Sequence, residues 1–498
     1  MALGQGCRSM SDTSASRAAG DIAPHPDQLT YPSLSYEPPA PEEYRVELDS
    51  GPVAYIVPDR ELPLVDIAIL IRAGDYLEPA GKESVAGLTG FLMARGGTDA
   101  ESAEDLEERL AFLAAQLGSG IGGTQGSVSL NLLSKDLDEG LRILRDVLTT
   151  PRFQEDRFTL RKQQIFQNLQ QRNDDSRNIE SRERGFLAQG ESFWANRQVT
   201  QSSLDSVTLD DVRAFHKKWI HPANFIVAAS GDFDRQAMID KLKALFANWP
   251  YQGETSPAIP GDIQFAKPGV YIVNKDVNQG RVSMLLPGIE RGNPDQFAIS
   301  VMNDILGGGG FTSRIMNRVR SDEGLAYSAG SSFPAGVYFP STFTAGFQSK
   351  SRTVAYAASI VLEEIQRIRT QPVSAEDLAT TKTSFIETFP RRFSTKTQIA
   401  GTFASDEFTG RYAEDPDYWK TYRDKIREVT VEEVQRVAAN YLDTDQLVIL
   451  VVGQKDEILK GHPDHDVQLP SLTSGSVVDV PLRDPLTMEP MAGTAASQ

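Results

Sequence analysis

The sequence predicts an α+β protein of two similar domains, each a mostly antiparallel sheet packed with helices. Two observations predict this class. Strand-like and helix-like segments follow one another without the regular strand–helix–strand alternation of a parallel sheet. In addition, one stretch of the first half matches one stretch of the second half without a gap. The chain has 498 residues, 40% of them hydrophobic and 24% charged, which is enough for several domains.

The matching stretches are residues 207–234, VTLDDVRAFHKKWIHPANFIVAASGDFD, and residues 429–456, VTVEEVQRVAANYLDTDQLVILVVGQKD. Each begins with the pattern of a capping box, at Thr208 and at Thr430, continues as a helix and ends in an apolar strand. Upstream of each, the segments PRFQEDRF and QPVSAEDL are expected to introduce a long polar helix. The two halves therefore look like copies of one domain of roughly 200 residues, an ordinary domain size.

Further elements follow from the first half. The segments LVDIAILIRAG and SVSLNLL run apolar or alternate as strands do. Ser102 with Asp105 forms an N-cap. Four leucines at helical spacing then predict a helix that continues until Gly118: Leu106, Leu110, Leu113 and Leu117. Four more predict a second amphipathic helix: Leu137, Leu141, Leu144 and Leu148.

Segments rich in Pro, Ser and Asp lie at both ends and in the middle of the chain, and such a composition buries too little apolar surface to offset the entropy of ordering. They set the expected boundaries: an extended arm over residues 1–41, a first domain over 42–250, a linker over 251–266, a second domain over 267–460, and an extended tail over 461–498.

Composition excludes several functions. Lys and Arg number 50 against 68 Asp and Glu, a net charge of −18, which disfavours a nucleic-acid partner. The sequence contains no run of about 18 apolar residues, so no transmembrane helix is predicted. The first 40 residues lack the apolar stretch of a signal peptide. The single cysteine, Cys7, excludes internal disulfides. Its context, LGQGC, is similar to the end of a lipoprotein signal, so Cys7 is either a lipidation site or an idle thiol.

The segment GGGGFTSRIMNRVRSDEGLAYSAG, residues 307–330, contains the candidate functional residues Arg320 and Tyr327. An Arg at a helix end and a phenol at the start of the next strand can point into one cleft, where they can hydrogen-bond a peptide carbonyl and a developing oxyanion. From spacing alone an alternative stands, in which Arg320 pairs with a surface carboxylate and Tyr327 fills the edge of the core.

This segment is similar to the C-terminal-domain motif of the M16 (pitrilysin/insulinase-like) zinc peptidases, in which a glycine-rich turn leads to a helix, an Arg and, seven positions later, a Tyr. The resemblance covers about residues 44–458 and favours the substrate-contact role of Arg320 and Tyr327. It implies two domains of the LuxS/MPP-like metallohydrolase type. The glycines at 307–310 permit a tight connection between helices. A glycine-rich loop contacts substrate in the non-catalytic subunit of the mitochondrial processing peptidase, which implies a second role here for three of them: Gly308, Gly309 and Gly310.

A catalytic M16 domain carries an H-x-x-E-H zinc motif near its start and a distant Glu ligand. The corresponding segment here is SVAGLTGFLMARGGT, which places Gly87, Gly90 and Phe91 at the His, Glu and His positions, and Asn168 is the best match for the distant ligand. These residues offer one weakly liganding amide and no group that activates water. The resemblance therefore implies a degenerate site, and no metal or other cofactor is expected on this chain.

The five histidines do not change this expectation. His25 lies in the arm, His216 is expected to pack on its helix, and His221 follows it. His462 and His465 have the spacing of metal ligands, but histidine pairs in a tail are usually solvated.

Among M16 proteins, paired two-domain chains form a chamber in which one chain supplies H-x-x-E-H and the other the Arg/Tyr pair. The resemblance implies that this chain is the second kind, a peptide-binding subunit of a heterodimer with zinc in the partner, inactive alone. Two alternatives stand: a protease-derived scaffold without a role in catalysis, and, with less support, a self-sufficient zinc enzyme. Paired bacterial members often carry export signals, so the cell envelope is the expected compartment, with the cytoplasm as the alternative.

Overall fold

The computed structural model describes residues 25, 29, 35–49 and 51–491. The chain divides into two compact units, Met1–Glu37 and Pro38–Gln498, and every described helix and strand lies in the second. The arm predicted for residues 1–41 falls mostly outside the described residues, as does Cys7. The predicted domain boundaries stay a prediction.

The first half of the second unit contains a six-stranded sheet, called here the first sheet. Its strands are β1 Arg45–Glu47, β2 Val53–Pro58, β3 Leu64–Ile71, β4 Gln116–Gly122, β5 Gln125–Leu133 and β6 Phe225–Gly231. Its helices are α1 Val85–Arg95, α2 Ala103–Phe112, α3 Leu137–Thr149, α4 Glu155–Gln170, α5 Ser176–Gln189, α6 Gln201–Ser206, α7 Leu209–Trp219 and α8 Arg235–Phe246.

The second half contains the second sheet. Its strands are β7 Gly269–Asn274, β8 Gln279–Pro287, β10 Ala326–Ser332, β12 Thr342–Lys350, β13 Val448–Gly453 and β14 Ser476–Val480, and a separate short pair is β9 Ile289–Glu290 with β11 Ala335–Gly336. Its helices are α9 Gln296–Asn303, α10 Arg314–Met316, α11 Val354–Thr370, α12 Ala375–Thr388, α13 Lys396–Phe408, α14 Arg411–Glu414, α15 Tyr418–Glu428, α16 Val431–Tyr441 and α17 Lys455–Leu459.

Five strands have the same order and directions in both sheets. The first sheet runs β2-β6-β3-β5-β4 and the second runs β7-β13-β8-β12-β10. In each, the first pair is parallel and the other three pairs are antiparallel. Helices cover one face of each sheet and form a separate apolar core with it. The predicted α+β class of two mostly antiparallel, helix-packed sheets is therefore confirmed.

The matched stretches adopt the same local structure. Thr208 and Thr430 each accept a hydrogen bond from the backbone N–H three residues later and form a complete capping box, which starts α7 and α16. Each helix leads into a central strand, β6 or β13, that is buried on both faces, which explains why both strands are apolar except for Ser230 of β6. The polar helices predicted after Pro151 and Pro372 are α4 and α12.

The two halves exchange helices across their remaining sheet faces. Helix α5 of the first half packs on the second sheet, where Ile179 joins an apolar cluster with Val273 and Leu450. Helix α13 of the second half packs on the first sheet, where the rings of Phe403 and Tyr55 lie 5.9 Å apart. Because each sheet is covered by a helix from the other half, the halves of this unit are joined through apolar surface rather than through the linker alone.

Two segments differ from the sequence predictions. The helix capped by Ser102 ends at Phe112 instead of continuing to Gly118, because Ala114 takes a left-handed φ of 49° and Gln116–Gly122 pairs with β5 as strand β4. The spacing of Leu117 fits both a helix and this strand. Within the predicted extended tail, strand β14 pairs in parallel with β7 at the edge of the second sheet. Residues 247–268, around the predicted linker, contain no helix or strand.

In the part of the chain that the structure describes, no helix combines the length and the apolar character needed to cross a bilayer.

Candidate functional site

Arg320 and Tyr327 lie on either side of a tight chain reversal. The short helix α10 continues as a π-helical turn, Asn317–Asp322, anchored by the buried side chain of Val319. Gly324, at a left-handed φ of 63°, ends it, and the N–H groups of Gly324 and Leu325 donate to carbonyls of the last turn. Strand β10 then begins with Ala326 buried and Tyr327 outward. Alternation along the strand thus sets the direction of the phenol.

The two side chains form a stack with a third. The Arg320 guanidinium carbon lies 4.8 Å from the ring centroid of Tyr327 and 4.6 Å from that of Phe311, so the cation sits against two aromatic rings. Tyr327 is 84% exposed and Phe311 67%. Arg320 forms no ion pair with any carboxylate among the described residues. The alternative of a surface ion pair and a core-edge tyrosine is therefore wrong.

The glycine-rich turn holds this stack against the sheet. A Cβ on Gly307 would lie 2.5 Å from the Ser331 nitrogen, and one on Gly330 would lie 2.8 Å from the Gly307 oxygen, so the turn and β10 touch through backbone. Gly310, at a φ of 62°, has no atom within 4 Å of an added Cβ and provides the left-handed bend before Phe311. The glycines serve first to let a helical turn approach the strand.

A cavity of about 1080 Å³ opens beside Tyr327. Its floor is the face of the second sheet formed by β8, β10 and β12, and helix α5 forms one wall. Gly308 and Gly310 also line it, whereas Gly309 does not contribute to the wall that the described residues form. Substrate contact by the three glycines stays a prediction.

The four positions predicted to correspond to the zinc motif do not line this cavity and lie on α1 and α4. Gly87 is exposed, and Gly90 is buried against β4. A Cβ on Gly90 would overlap the backbone nitrogen of Ile121 and lie 2.6 Å from the carbonyl carbon of Gly120. Ser119 closes the contact further, because its hydroxyl donates to the Gly90 carbonyl and accepts from the Ala94 N–H. The helix and the strand thus occupy the volume that a glutamate at position 90 needs.

The side chain of Arg161 lies against Phe91, the next of these predicted positions. The Arg161 guanidinium carbon of α4 lies 4.5 Å from the ring centroid of Phe91. Asn168, two turns further along α4, lies on the same helix face as Arg161 and is exposed. Glycines, a phenyl ring and an amide provide none of the imidazole and carboxylate ligands that a catalytic zinc requires, so these residues do not fit the metal.

A half-buried carboxyl group caps the start of helix α1. The Glu78 side chain accepts hydrogen bonds from the N–H groups of Ser84, at 3.1 Å, and Ala86, at 2.9 Å. Burial raises the pKa of Glu78 to about 7 despite these bonds. Beside the glycine-rich turn, burial also raises the pKa of the Asp304 carboxyl above its usual range.

The histidines hold structural positions. His216 is buried, packs edge-on against Phe153 and donates from Nε2 to the Leu148 carbonyl, as expected for packing on its helix. His465 stacks on Tyr356, with ring centroids 3.7 Å apart. Among the described residues, no three His, Cys, Asp or Glu side chains are grouped so as to hold a metal ion.

Sequence reasoning missed three features of this region: the ring of Phe311, the guanidinium of Arg161 and the cavity wall formed by α5. The exposure of Phe311 could have been predicted, because an aromatic residue directly after a glycine-rich turn in a polar segment rarely reaches the hydrophobic core. No sequence pattern predicts the positions of Arg161 and α5, since they depend on which helices pack together.

The fold and the site define a class of protein with two helix-packed sheets and an arginine–tyrosine pair beside a cavity, in which Tyr327 is exposed and Arg320 is half-buried. Comparison with known proteins leads to the family. Residues 206–385 match the model described as the peptidase M16 inactive domain. An uncharacterized zinc protease of Rickettsia bellii is 24% identical over 64% of this chain and 80% of its own length. The Helicobacter pylori non-peptidase homolog YmxG is 22% identical over 82% of this chain and 94% of its own length.

Solved structures show the same fold. The peptidase M16 inactive domain of Pseudomonas fluorescens superposes with a TM-score of 0.72 at 23% identity, covering 82% of this chain and 97% of that one. The periplasmic protease PqqL of Escherichia coli superposes with a TM-score of 0.66 at 14% identity, over 87% of this chain and 49% of PqqL. Over residues 206–385 the chain is therefore similar to the inactive domain of the M16 peptidase family, and its sequence contains no H-x-x-E-H zinc motif.

Proposed function

We propose that this chain is the non-catalytic subunit of a heterodimeric M16-type zinc metalloprotease, and that it binds extended peptides and supplies Arg320 and Tyr327 to the zinc site of an H-x-x-E-H partner. One observation carries the proposal. The Arg/Tyr pair follows a glycine-rich turn that contacts the backbone of β10, and Tyr327 is 84% exposed. A phenol and a guanidinium that have no carboxylate partner among the described residues are available to hydrogen-bond a peptide substrate.

The two side chains have separate tasks. In the partner, zinc would polarise the scissile carbonyl and activate the attacking water. The Tyr327 hydroxyl donates a hydrogen bond to the oxyanion that forms on the carbonyl oxygen. The Arg320 guanidinium donates to a neighbouring peptide carbonyl and adds positive charge where negative charge develops. Both groups are fixed before substrate arrives, so little reorganisation opposes the reaction.

The degenerate half of the chain supports a split active site. Gly90 lies against β4 without room for a larger residue, and Phe91 holds Arg161 where the motif would place a histidine. We infer that this chain binds no catalytic zinc and that the partner binds one ion. The names of its relatives, inactive domain and non-peptidase homolog, support this division.

The test is reconstitution with an H-x-x-E-H chain from the same cells and kinetics with a fluorogenic peptide. Tyr327→Phe is expected to lower kcat about 100-fold with little change in KM, because it removes one donor to the oxyanion. Tyr271→Phe is the matched control, since its hydroxyl donates to the Lys267 carbonyl elsewhere in the same half. Zinc content is measured on each separated chain.

Two outcomes would contradict the proposal. Unchanged cleavage with Tyr327→Phe and Arg320→Gln would favour the scaffold, a subunit kept for assembly. Stoichiometric zinc in this chain alone, together with cleavage by it alone, would favour the self-sufficient enzyme.

We further infer that the two halves are copies of one domain, over residues 42–250 and 267–460, and that extended peptides are the substrate. The identical order of five strands in the two sheets supports the first inference. Strand β10, at the edge of the second sheet and beside Gly308 and Gly310, supports the second, because an edge strand can pair with a peptide backbone.

We propose the cell envelope as the compartment. The support is the fold shared with PqqL, which is described as a periplasmic protease. Fractionation of the native cells, with and without Cys7→Ala, tests both the compartment and a lipid anchor at Cys7. Recovery of the intact chain in the cytosol would contradict both.

A further inference from the structure

The cavity beside Tyr327 has a charge opposite to that of the whole chain. Its wall includes four cationic side chains and one carboxylate, a difference of three positive charges, although the chain carries −18. The charged residues of the wall are Arg177, Glu180, Arg184, Arg281 and Lys350.

These side chains come from both halves of the chain. Arg177, Glu180 and Arg184 lie at positions i, i+3 and i+7 of α5 and so share one helix face. Arg281 of β8 and Lys350 of β12 lie on the sheet below. The cationic wall therefore exists only because α5 packs across the second sheet.

The carboxylate is already engaged. Glu180 is buried and accepts hydrogen bonds from Arg184 Nε, at 2.8 Å, and from the Ser283 hydroxyl, at 2.6 Å. Glu180 therefore neutralises the charge of Arg184 but not the charges of Arg177, Arg281 and Lys350.

The remaining cations have no acidic partner among the described residues. Arg281 donates only to the neutral Gln348 amide, at 2.7 Å. The side chains of Arg177 and Lys350 are exposed and form no ion pair there. Cations left uncompensated in a concave site favour an anionic ligand, because the low-dielectric walls concentrate their field.

We infer that this cavity selects peptides with acidic side chains next to the bond that is cleaved. The inference rests on the proposed function and names its substrate class. Tyr327 lines the same cavity, so a peptide whose scissile carbonyl meets the phenol runs its flanking residues past Arg177, Arg281 and Lys350. Carboxylates at those positions form charge-assisted hydrogen bonds with the cations, whereas lysines are repelled. At about 1080 Å³ the cavity is large enough for several residues.

The experiment measures direct binding to the full chain by fluorescence anisotropy. The probes are labelled peptides of one length that differ only in carrying Asp, Asn or Lys at the flanking positions. The Asp peptide is expected to bind about 10-fold more tightly than the Asn peptide, and the Lys peptide more weakly than either. This preference decreases at high salt, where exposed charges are screened.

Variants locate the effect. Arg177→Gln and Lys350→Gln are each expected to reduce the preference for Asp over Asn about 3-fold, and the double variant to abolish most of it. Lys217→Gln is the matched control, because it removes one exposed cation of α7 outside the cavity wall and changes the net charge equally. Circular dichroism and thermal melting check that each variant folds.

The outcomes separate this inference from the proposed function. Equal binding of the three peptides, with cleavage by the reconstituted pair still dependent on Tyr327, overturns the charge selection alone. The charge selection is also overturned if Lys217→Gln reduces the preference for Asp as much as Arg177→Gln does. Tighter binding of a single-stranded oligonucleotide than of the Asp peptide rejects peptides as the ligand. Binding of the Asp peptide without any effect of Tyr327→Phe on cleavage leaves the acidic-peptide site in place and contradicts the catalytic role.

Discussion

Phe311 is the residue that distinguishes the observed Arg/Tyr site from a simple pair. The Arg320 guanidinium carbon lies 4.6 Å from the centroid of the Phe311 ring and 4.8 Å from that of Tyr327. A long Arg side chain loses considerable rotamer freedom when it is fixed, and two rings restrict it before substrate binds. We therefore treat Phe311 as a positioning residue for Arg320.

Replacement of Phe311 tests this role. Phe311→Ala is expected to lower kcat of the reconstituted heterodimer about 2- to 5-fold with KM unchanged, since a cation–π contact at an exposed site contributes about 0.5–1 kcal/mol. Phe112→Ala is the control, because Phe112 is 87% exposed on α2 and contacts neither site residue. An increase in KM alone would instead assign Phe311 to substrate binding.

Gly90 and Gly87 provide a matched pair on one helix. A Cβ at position 90 overlaps the β4 backbone, whereas one at position 87 has only the Ile121 carbonyl within 4 Å, at 3.9 Å. Gly90→Ala is expected to lower the free energy of unfolding by about 2 kcal/mol or more, because backbone must move. Gly87→Ala is expected to be neutral or to stabilise by up to about 1 kcal/mol, since alanine favours a helix.

Urea denaturation measures both substitutions. Equal stability of the two variants would show that β4 is free to withdraw from α1, and that a glutamate could be reintroduced there. The expected difference means that the zinc motif cannot be restored by replacing the three motif positions alone.

At the scale of elements, α7 depends on a neutral histidine. Burial lowers the pKa of His216 to about 4, although its hydrogen bond to the Leu148 carbonyl opposes the shift. Between pH 6.5 and 4 the unfolded chain binds a proton that the folded chain does not. The stability contributed by this group is therefore present above pH 6.5 and is lost as pH falls towards 4.

His216→Gln should remove this loss. The wild type is expected to lose about 3 kcal/mol more stability than the variant between pH 7 and pH 4, as a shift of 2.5 pKa units implies. Urea denaturation at several pH values measures the difference. His465→Gln, which removes an imidazole that is not fully buried, serves as the control, and parallel pH profiles for wild type and His216→Gln would contradict the assignment.

At the scale of the whole molecule, one carboxylate of α13 joins the two halves. Glu407 accepts a bidentate pair of hydrogen bonds from Arg45, at 3.0 and 3.1 Å, and a third from the Tyr55 hydroxyl, at 2.9 Å. Burial, together with the neighbouring Glu407 charge, raises the pKa of Tyr55, so the phenol stays a donor. Arg45 and Tyr55 belong to the first sheet and Glu407 to the second half.

Glu407→Gln is expected to destabilise the chain by about 1–3 kcal/mol, because it removes the charge from a bidentate, mostly buried contact. Thermal unfolding should also broaden or split as the halves lose coupling. Glu108→Gln is the control for a change of one charge, because Glu108 is exposed on α2 and forms no ion pair within the described part of the chain. A single sharp transition at the wild-type temperature would show that apolar packing alone holds the halves together.

Local patterns in the sequence were sufficient for much of this protein. The capping boxes at Thr208 and Thr430, the apolar runs of β6 and β13 and the placing of Arg320 and Tyr327 on a helix end and the next strand all depend on neighbours in sequence. The prediction that zinc ligands are missing also rests on the sequence alone, because a ligand set is a matter of residue type. The end of α2 could not be predicted from the sequence, because Leu117 fits both the helical and the strand periodicity.

Tertiary packing decided the rest. Whether Gly90 leaves room for a metal site depends on the position of β4, and the charge of the cavity depends on α5 crossing to the sheet of the other half. The composition shows that the chain is strongly acidic but does not indicate a cationic cavity. Net charge counts every charged residue, whereas the field in a cavity depends on the few that line it. The sequence by itself determined which chemical groups this protein has, and only the tertiary structure decided which of them face a ligand together.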